Sequence, residues 1–126
     1  MKLRFDTLVI FVQDLAVLRH FYTDILGLEI VEEMGDDWLL LDAGAAHLGL
    51  HRIGEAYRHS SEEPYQFDNN TKLVFETQDD LSQLRDFLAV NGAIVHEIKT
   101  FPDYDFLLFD GQDPEGNVFQ IKQRKG

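Results

Sequence analysis

The stretch DLAVLRHF at residues 14–21 returns as DLSQLRDF at residues 80–87. Asp, Leu, Leu, Arg and Phe coincide at one offset of 66 residues. An aspartate opening such a stretch can accept hydrogen bonds from the first free N–H groups of a helix. Behind Asp14, the residues Leu15, Leu18, Phe21, Tyr22 and Ile25 recur at steps of three and four, which gives a helix one apolar face. Behind Asp80, Leu81, Leu84, Phe87 and Leu88 do the same. Gly27 and Gly92 stand where a helix-ending glycine belongs. The sequence therefore predicts two related helices.

Outward from this pair the likeness continues. IVEE (30–33) matches IVHE (94–97) at an offset of 64, and DWLLLD (37–42) matches DFLLFD (105–110) at 68. LGL (48–50) aligns with FQI (119–121) at 71. The offset changes only between matched stretches, where turns differ in length. Four matches in one order indicate a duplicated unit. Around them, runs rich in β-branched and aromatic residues read as strands. These are residues 4–12, 28–33, 38–42 and 47–53 in the first copy. In the second copy they are residues 72–77, 93–98, 105–109 and 117–122. Module one spans 4–53 and module two 71–123, joined by a polar, aperiodic linker at 54–70. The expected class is α+β: tandem β-α-β-β-β modules forming a curved eight-stranded incomplete barrel. Nearly continuous apolar strands need cover on both faces, so a central cleft is the expected binding site.

Composition narrows the function. The 126 residues hold 23 acidic and 11 basic side chains, a net charge of −12. That disfavours a nucleic-acid partner, whose phosphates would be repelled. It serves solubility and could also draw a cationic ligand. Lys122, Arg124 and Lys125 form the one basic cluster, near the end of the sequence. With no cysteine there is no disulfide and no thiolate chemistry. No run approaches the roughly 18 apolar residues of a membrane span, and the start has no signal-peptide pattern. The expectation is a single cytoplasmic domain without a membrane partner. No phosphate-binding glycine loop, nucleophile elbow or HExxH motif is present.

Three stretches, VQDLAVLRHFYTDILGLEI (12–30), DDLSQLRDFLAVNGAIV (79–95) and FDGQDPEGNVFQI (109–121), resemble the vicinal oxygen chelate superfamily. That group includes glyoxalase I, extradiol dioxygenases, methylmalonyl-CoA epimerase, and the fosfomycin and bleomycin resistance proteins. The resemblance implies a homodimer, which would also cover exposed strand edges. Metal-using members place His and Glu ligands on the first and fourth strand of each module. The resemblance carries those places to Thr7, Gly49, Leu73 (or Lys72 after a one-residue slip) and Gln120. A divalent ion takes imidazole and carboxylate, and none stands there. No cofactor is expected, and the metal-based activities give way to a protein that binds and sequesters a small molecule.

Other residues have two readings each. His47 and His51 flank Gly49 on one strand and share its face. They are pocket-wall residues, or else part of a displaced metal site with Glu76 or Gln120, or a general base. Such a site would make the protein a metal-dependent lyase or dioxygenase. Gln120 can donate to and accept from a ligand or a neighbouring strand. Trp38, Phe101, Tyr104 and Phe106 can stack on a flat ligand or pack as core. Tyr57, Tyr65 and Phe67 punctuate the linker as a lid or a pin. Glu32, Glu33, Asp36 and Asp37 make an acidic hairpin, and Arg19 and Arg85 read as exposed helix charges. Asp6, one residue before Thr7, is expected on the opposite face of that strand.

Overall fold

The computed structural model describes residues 1–58 and 71–126. Tyr65 and Phe67 lie outside the described residues. The chain divides within the linker into two compact units, one for each module.

In the first module β1 is Thr7–Val12, β2 is Glu29–Met34, β3 is Trp38–Asp42 and β4 is His47–Arg52. Asp14 caps helix α1 (Leu15–Arg19) by accepting from the Val17 N–H at 3.3 Å. The helix then widens into a π-helical turn, His20–Ile25, in which the Leu26 N–H reaches back five residues to the Phe21 carbonyl at 2.9 Å. Gly27 leaves this turn at φ +79°, a conformation that costs glycine little. The strand order is β1-β4-β3-β2, with β1 parallel to β4 and the other pairs antiparallel.

The second module repeats the plan. Its strands are β5 (Lys72–Glu76), β6 (Ile94–Val95), β7 (Phe106–Gln112) and β8 (Val118–Arg124), in the order β5-β8-β7-β6. Asp80 caps helix α2 (Leu81–Val90) by accepting from the Gln83 N–H at 2.9 Å. Both expected N-caps are therefore present, and all eight expected strands appear.

Strand alternation gives each sheet two faces. Val12, Leu39, Leu41, Leu48 and Leu50 project to one side of the first sheet and are buried with Leu15, Leu18, Phe21 and Tyr22 of the helical segment. In the second sheet Leu73, Phe109, Phe119 and Ile121 are buried in the same way, with Leu81 and Leu88 of α2. Each fully buried side chain of this size contributes about 1.5–3 kcal/mol relative to exposure. This helix-covered face holds each module together. The opposite, open face keeps apolar side chains in contact with solvent, among them Val9, Phe11, Met34 and Val74.

Three strands differ from the sequence expectation. β1 begins at Thr7, not at residue 4. The apolar run 93–98 forms a ladder only at Ile94 and Val95. Beyond it the pairing continues irregularly, with the His96 N–H on the Asp110 carbonyl at 2.8 Å and Lys99 bridged to Leu108. β7 runs on to Gln112, past the expected end at 109, because β8 pairs with it as far as Val118. The close packing there requires Gly111. A Cβ on it would lie 2.5 Å from Phe119 Cζ and 2.7 Å from the Ile94 carbonyl oxygen. Gly111→Ala is expected to destabilise the protein by about 1–3 kcal/mol, the cost of overpacking a core. A urea unfolding midpoint equal to wild type would contradict this packing.

Candidate functional site

The open face of the first sheet carries Thr7, Val9 and Phe11 from β1, Trp38, Leu40 and Asp42 from β3, and His47, Gly49 and His51 from β4. The ladders set Gly49 between Val9 and Leu40, and Trp38 opposite His51. The Trp38 indole lies across the glycine. A Cβ at position 49 would come 2.6 Å from Trp38 Cη2 and 3.2 Å from Val9 Cγ2. Real Cβ atoms do not approach so closely, so the indole rests where a side chain at 49 would stand. His51 packs edge-on between two rings, 5.4 Å from Phe11 and 6.0 Å from Trp38 by ring centroids. Phe11, which the sequence reading did not single out, thus completes an aromatic row with His51 and Trp38.

At the other end of this face Thr7 donates its hydroxyl to Asp6 Oδ2 at 2.6 Å, and His47 Nδ1 lies 3.8 Å from the same oxygen. The Thr7 hydrogen bond holds the Asp6 carboxyl below its ordinary range; desolvation opposes it, and His47 and Arg4 add to it. The expectation that Asp6 points away from Thr7 is corrected. β1 begins at Thr7, so strand alternation does not reach Asp6. His47 and His51 do share a face, but they stand four positions apart on β4, about 13 Å along the strand.

The open face of the second sheet carries Lys72, Val74 and Glu76 from β5, Phe106, Leu108 and Asp110 from β7, and Val118, Gln120, Lys122 and Arg124 from β8. Leu73 does not share it. Leu73 pairs with Phe119 and lies on the helix-covered side, so of the two residues the resemblance allowed, Lys72 is the one on the open face with Gln120. Asp110 ties both to itself: Gln120 donates through Nε2 at 2.9 Å and Lys72 through Nζ at 3.3 Å. Burial pushes the Asp110 carboxyl up, but the Gln120 and Lys72 hydrogen bonds and the Lys72 and Lys99 charges outweigh it and leave the group below its ordinary range. The sequence reading did not single out Asp110. Its signal was present, since DWLLLD and DFLLFD both end in aspartate.

Phe101 and Tyr104 sit beside this face in the turn before β7. Their ring centroids are 6.1 Å apart, and Tyr104 is 5.6 Å from Phe106. Lys122 and Arg124 stand over Phe106 at 4.2 and 4.7 Å. Arg19 and Arg85, expected as exposed helix charges, are half-buried and fasten each helix to its module. Arg19 Nε donates to Glu33 at 2.9 Å, and Arg85 Nε donates to the His96 carbonyl at 2.6 Å.

A family model, described as the Glyoxalase/Bleomycin resistance protein/Dioxygenase superfamily, matches residues 4–121. The chain belongs to this superfamily. Among solved structures, a protein of unknown function from Agrobacterium tumefaciens str. C58 is similar at 26% identity, with TM-score 0.75 and coverage of 99% of this chain and 97% of that one. A protein from the mobile metagenome of V. Pseudocholerae is similar at 26%, with TM-score 0.72 and 100% and 98% coverage. The lactoylglutathione lyase of Agrobacterium tumefaciens shares the fold at 19% identity, TM-score 0.72, with 94% and 91% coverage.

The superfamily's metal positions can now be tested against the donors present. Thr7 gives its hydroxyl to Asp6, and Gly49 has no side chain and lies under an indole. Lys72 is a cation bound to Asp110, and the Gln120 amide is bound to the same carboxylate. This set does not fit a divalent ion, which requires imidazole or carboxylate donors. Among the described residues no group of three or more His, Asp or Glu could hold one elsewhere. No described helix is long and apolar enough to cross a membrane.

The Asp110 hub has a pH signature. Its carboxyl is depressed in the folded state, so its stabilising contribution is complete above the unfolded value and is lost as pH falls through the folded one. The stability advantage of wild type over Asp110→Asn should shrink as pH falls from about 5 to below the ordinary carboxylate value of 3.8. Parallel urea curves that leave the difference constant over that range would contradict the hub.

Proposed function

We propose that this protein binds small organic molecules on the open strand face of a module without using a metal, and holds or sequesters them. One observation carries the reading: the Trp38 indole lies across Gly49, at a position where metal-using relatives place a ligand side chain. That arrangement offers an aromatic surface in place of a Lewis acid. Phe11 and His51 extend it, and Val9 and Phe11 are 40% and 54% exposed. Apolar surface left open to water favours an apolar or aromatic ligand. Thr7, Lys72 and Gln120 support the same reading in another way, because their donors are taken up by Asp6 and Asp110 and do not build an ion site.

Trp38 is the only tryptophan in the chain, so its emission reports on this face alone. Aromatic compounds that bind the protein are expected to quench or shift it. Trp38→Ala should weaken them about three- to tenfold, the range of one aromatic contact. Calorimetric affinities unchanged by Trp38→Ala, with no change in wild-type emission on binding, would overturn the proposal for this face.

A further inference from the structure

We infer that the open face of the second sheet binds an aromatic carboxylate, whose charge is met by Lys122 and Arg124 and whose ring lies along Phe106 and Tyr104. The inference rests on the reading that the open faces bind small organic molecules, and adds a chemical class for this one. It starts from the distribution of charge. The chain carries 23 acidic and 11 basic residues, so its general field repels anions. The open face of the first sheet has Asp42 and no lysine or arginine on β1, β3 or β4. The second is the reverse. Lys72, Lys122 and Arg124 lie on it, Lys99 is bridged to its Leu108, and the acids that share it are Glu76 and Asp110.

These cations are not equally occupied. Asp110 already answers Lys72 and Gln120. Arg124 has Asp105 at 3.9 Å, but both side chains are largely exposed and such a pair is worth little. Among the described residues Lys122 has no carboxylate within ion-pair distance, although Glu76 is its partner in the ladder. Instead both cations stand over Phe106, at 4.2 and 4.7 Å. Two residues apart on β8, they are held on one side of the sheet within about 7 Å of each other. Like charges so placed repel, and a carboxylate between them relieves that repulsion. The guanidinium can meet it with two parallel N–H donors. The aromatic part of the ligand follows from the row beside the cations, where Tyr104 is 5.6 Å from Phe106 and 6.1 Å from Phe101. A planar ring has surface to pack on there, at about 0.5–1.5 kcal/mol per pair beyond burial.

The test is isothermal titration of the full chain with three probes of one shape: 1-naphthoate, 1-naphthamide and 1-naphthylmethylammonium. Naphthoate is expected to bind at least about tenfold tighter than the amide, as one charge-assisted contact implies. Lys122→Gln/Arg124→Gln should bring the two within about twofold, while Lys2→Gln/Arg4→Gln, which removes the same charge elsewhere, keeps the preference. Independently of any variant, the preference in wild type should collapse when salt is raised from about 0.05 to about 0.5 M. Equal affinities, a preference for the cation, a preference that survives the Lys122/Arg124 substitutions or high salt, or no binding of any probe would each overturn the inference. Naphthamide binding as tightly as naphthoate while shifting Trp38 emission would overturn only this inference and leave the proposed function standing.

Discussion

The open face of the first sheet depends on position 49 having no side chain. The Trp38 indole occupies the space that a Cβ there would need, with 2.6 Å separating that virtual atom from Cη2. From this one contact the rest of the face follows. The indole closes over Gly49, His51 packs against it edge-on, and Phe11 meets His51 from β1. A larger residue at 49 would lift the indole and break the row. The contact is also a chemical choice, since a glycine under a tryptophan cannot present a donor to an ion.

The second sheet makes a related choice by other means. Asp110 gathers Lys72 and Gln120, so the side chains nearest the superfamily's metal positions are bonded to each other. Three groups are fixed as a unit, and Lys122 and Arg124 lie farther along β8 over Phe106. One duplicated scaffold thus carries an aromatic, acid-rimmed face in one module and a basic, aromatic face in the other. The helix-covered faces, by contrast, remained alike, because both must bury leucine and phenylalanine against a capped helix. Duplication conserves what packs and releases what faces solvent.

Much of this was legible in the sequence. The Asp-Leu-x-x-Leu-Arg-x-Phe repeat placed both helices and their caps, and the apolar runs placed eight strands, because capping and periodic burial are local requirements. What stayed hidden depends on partners distant in the chain. Nothing local distinguishes Leu73 from Lys72 as the counterpart of Thr7. Only the ladder does, by pairing Lys72 with Val118 as Thr7 pairs with His47. The run 93–98 has strand composition throughout, yet its ladder ends at Val95, where the pairing with β7 becomes irregular. The π-helical turn at His20–Ile25 has no distinct apolar period. Arg19 and Arg85 did leave a trace, since an arginine recurring at one helix position has a repeated task. Here that task is to tie each helix to the following strand segment.

The superfamily's scaffold is present here, and the contacts at Gly49 and Asp110 stand where its ion site is expected. Metal content of protein purified without chelator, measured by inductively coupled plasma mass spectrometry, tests this most directly. The account predicts no zinc, nickel, manganese or iron in stoichiometric amount. One such ion per chain, retained through dialysis and lost on His51→Ala, would contradict it.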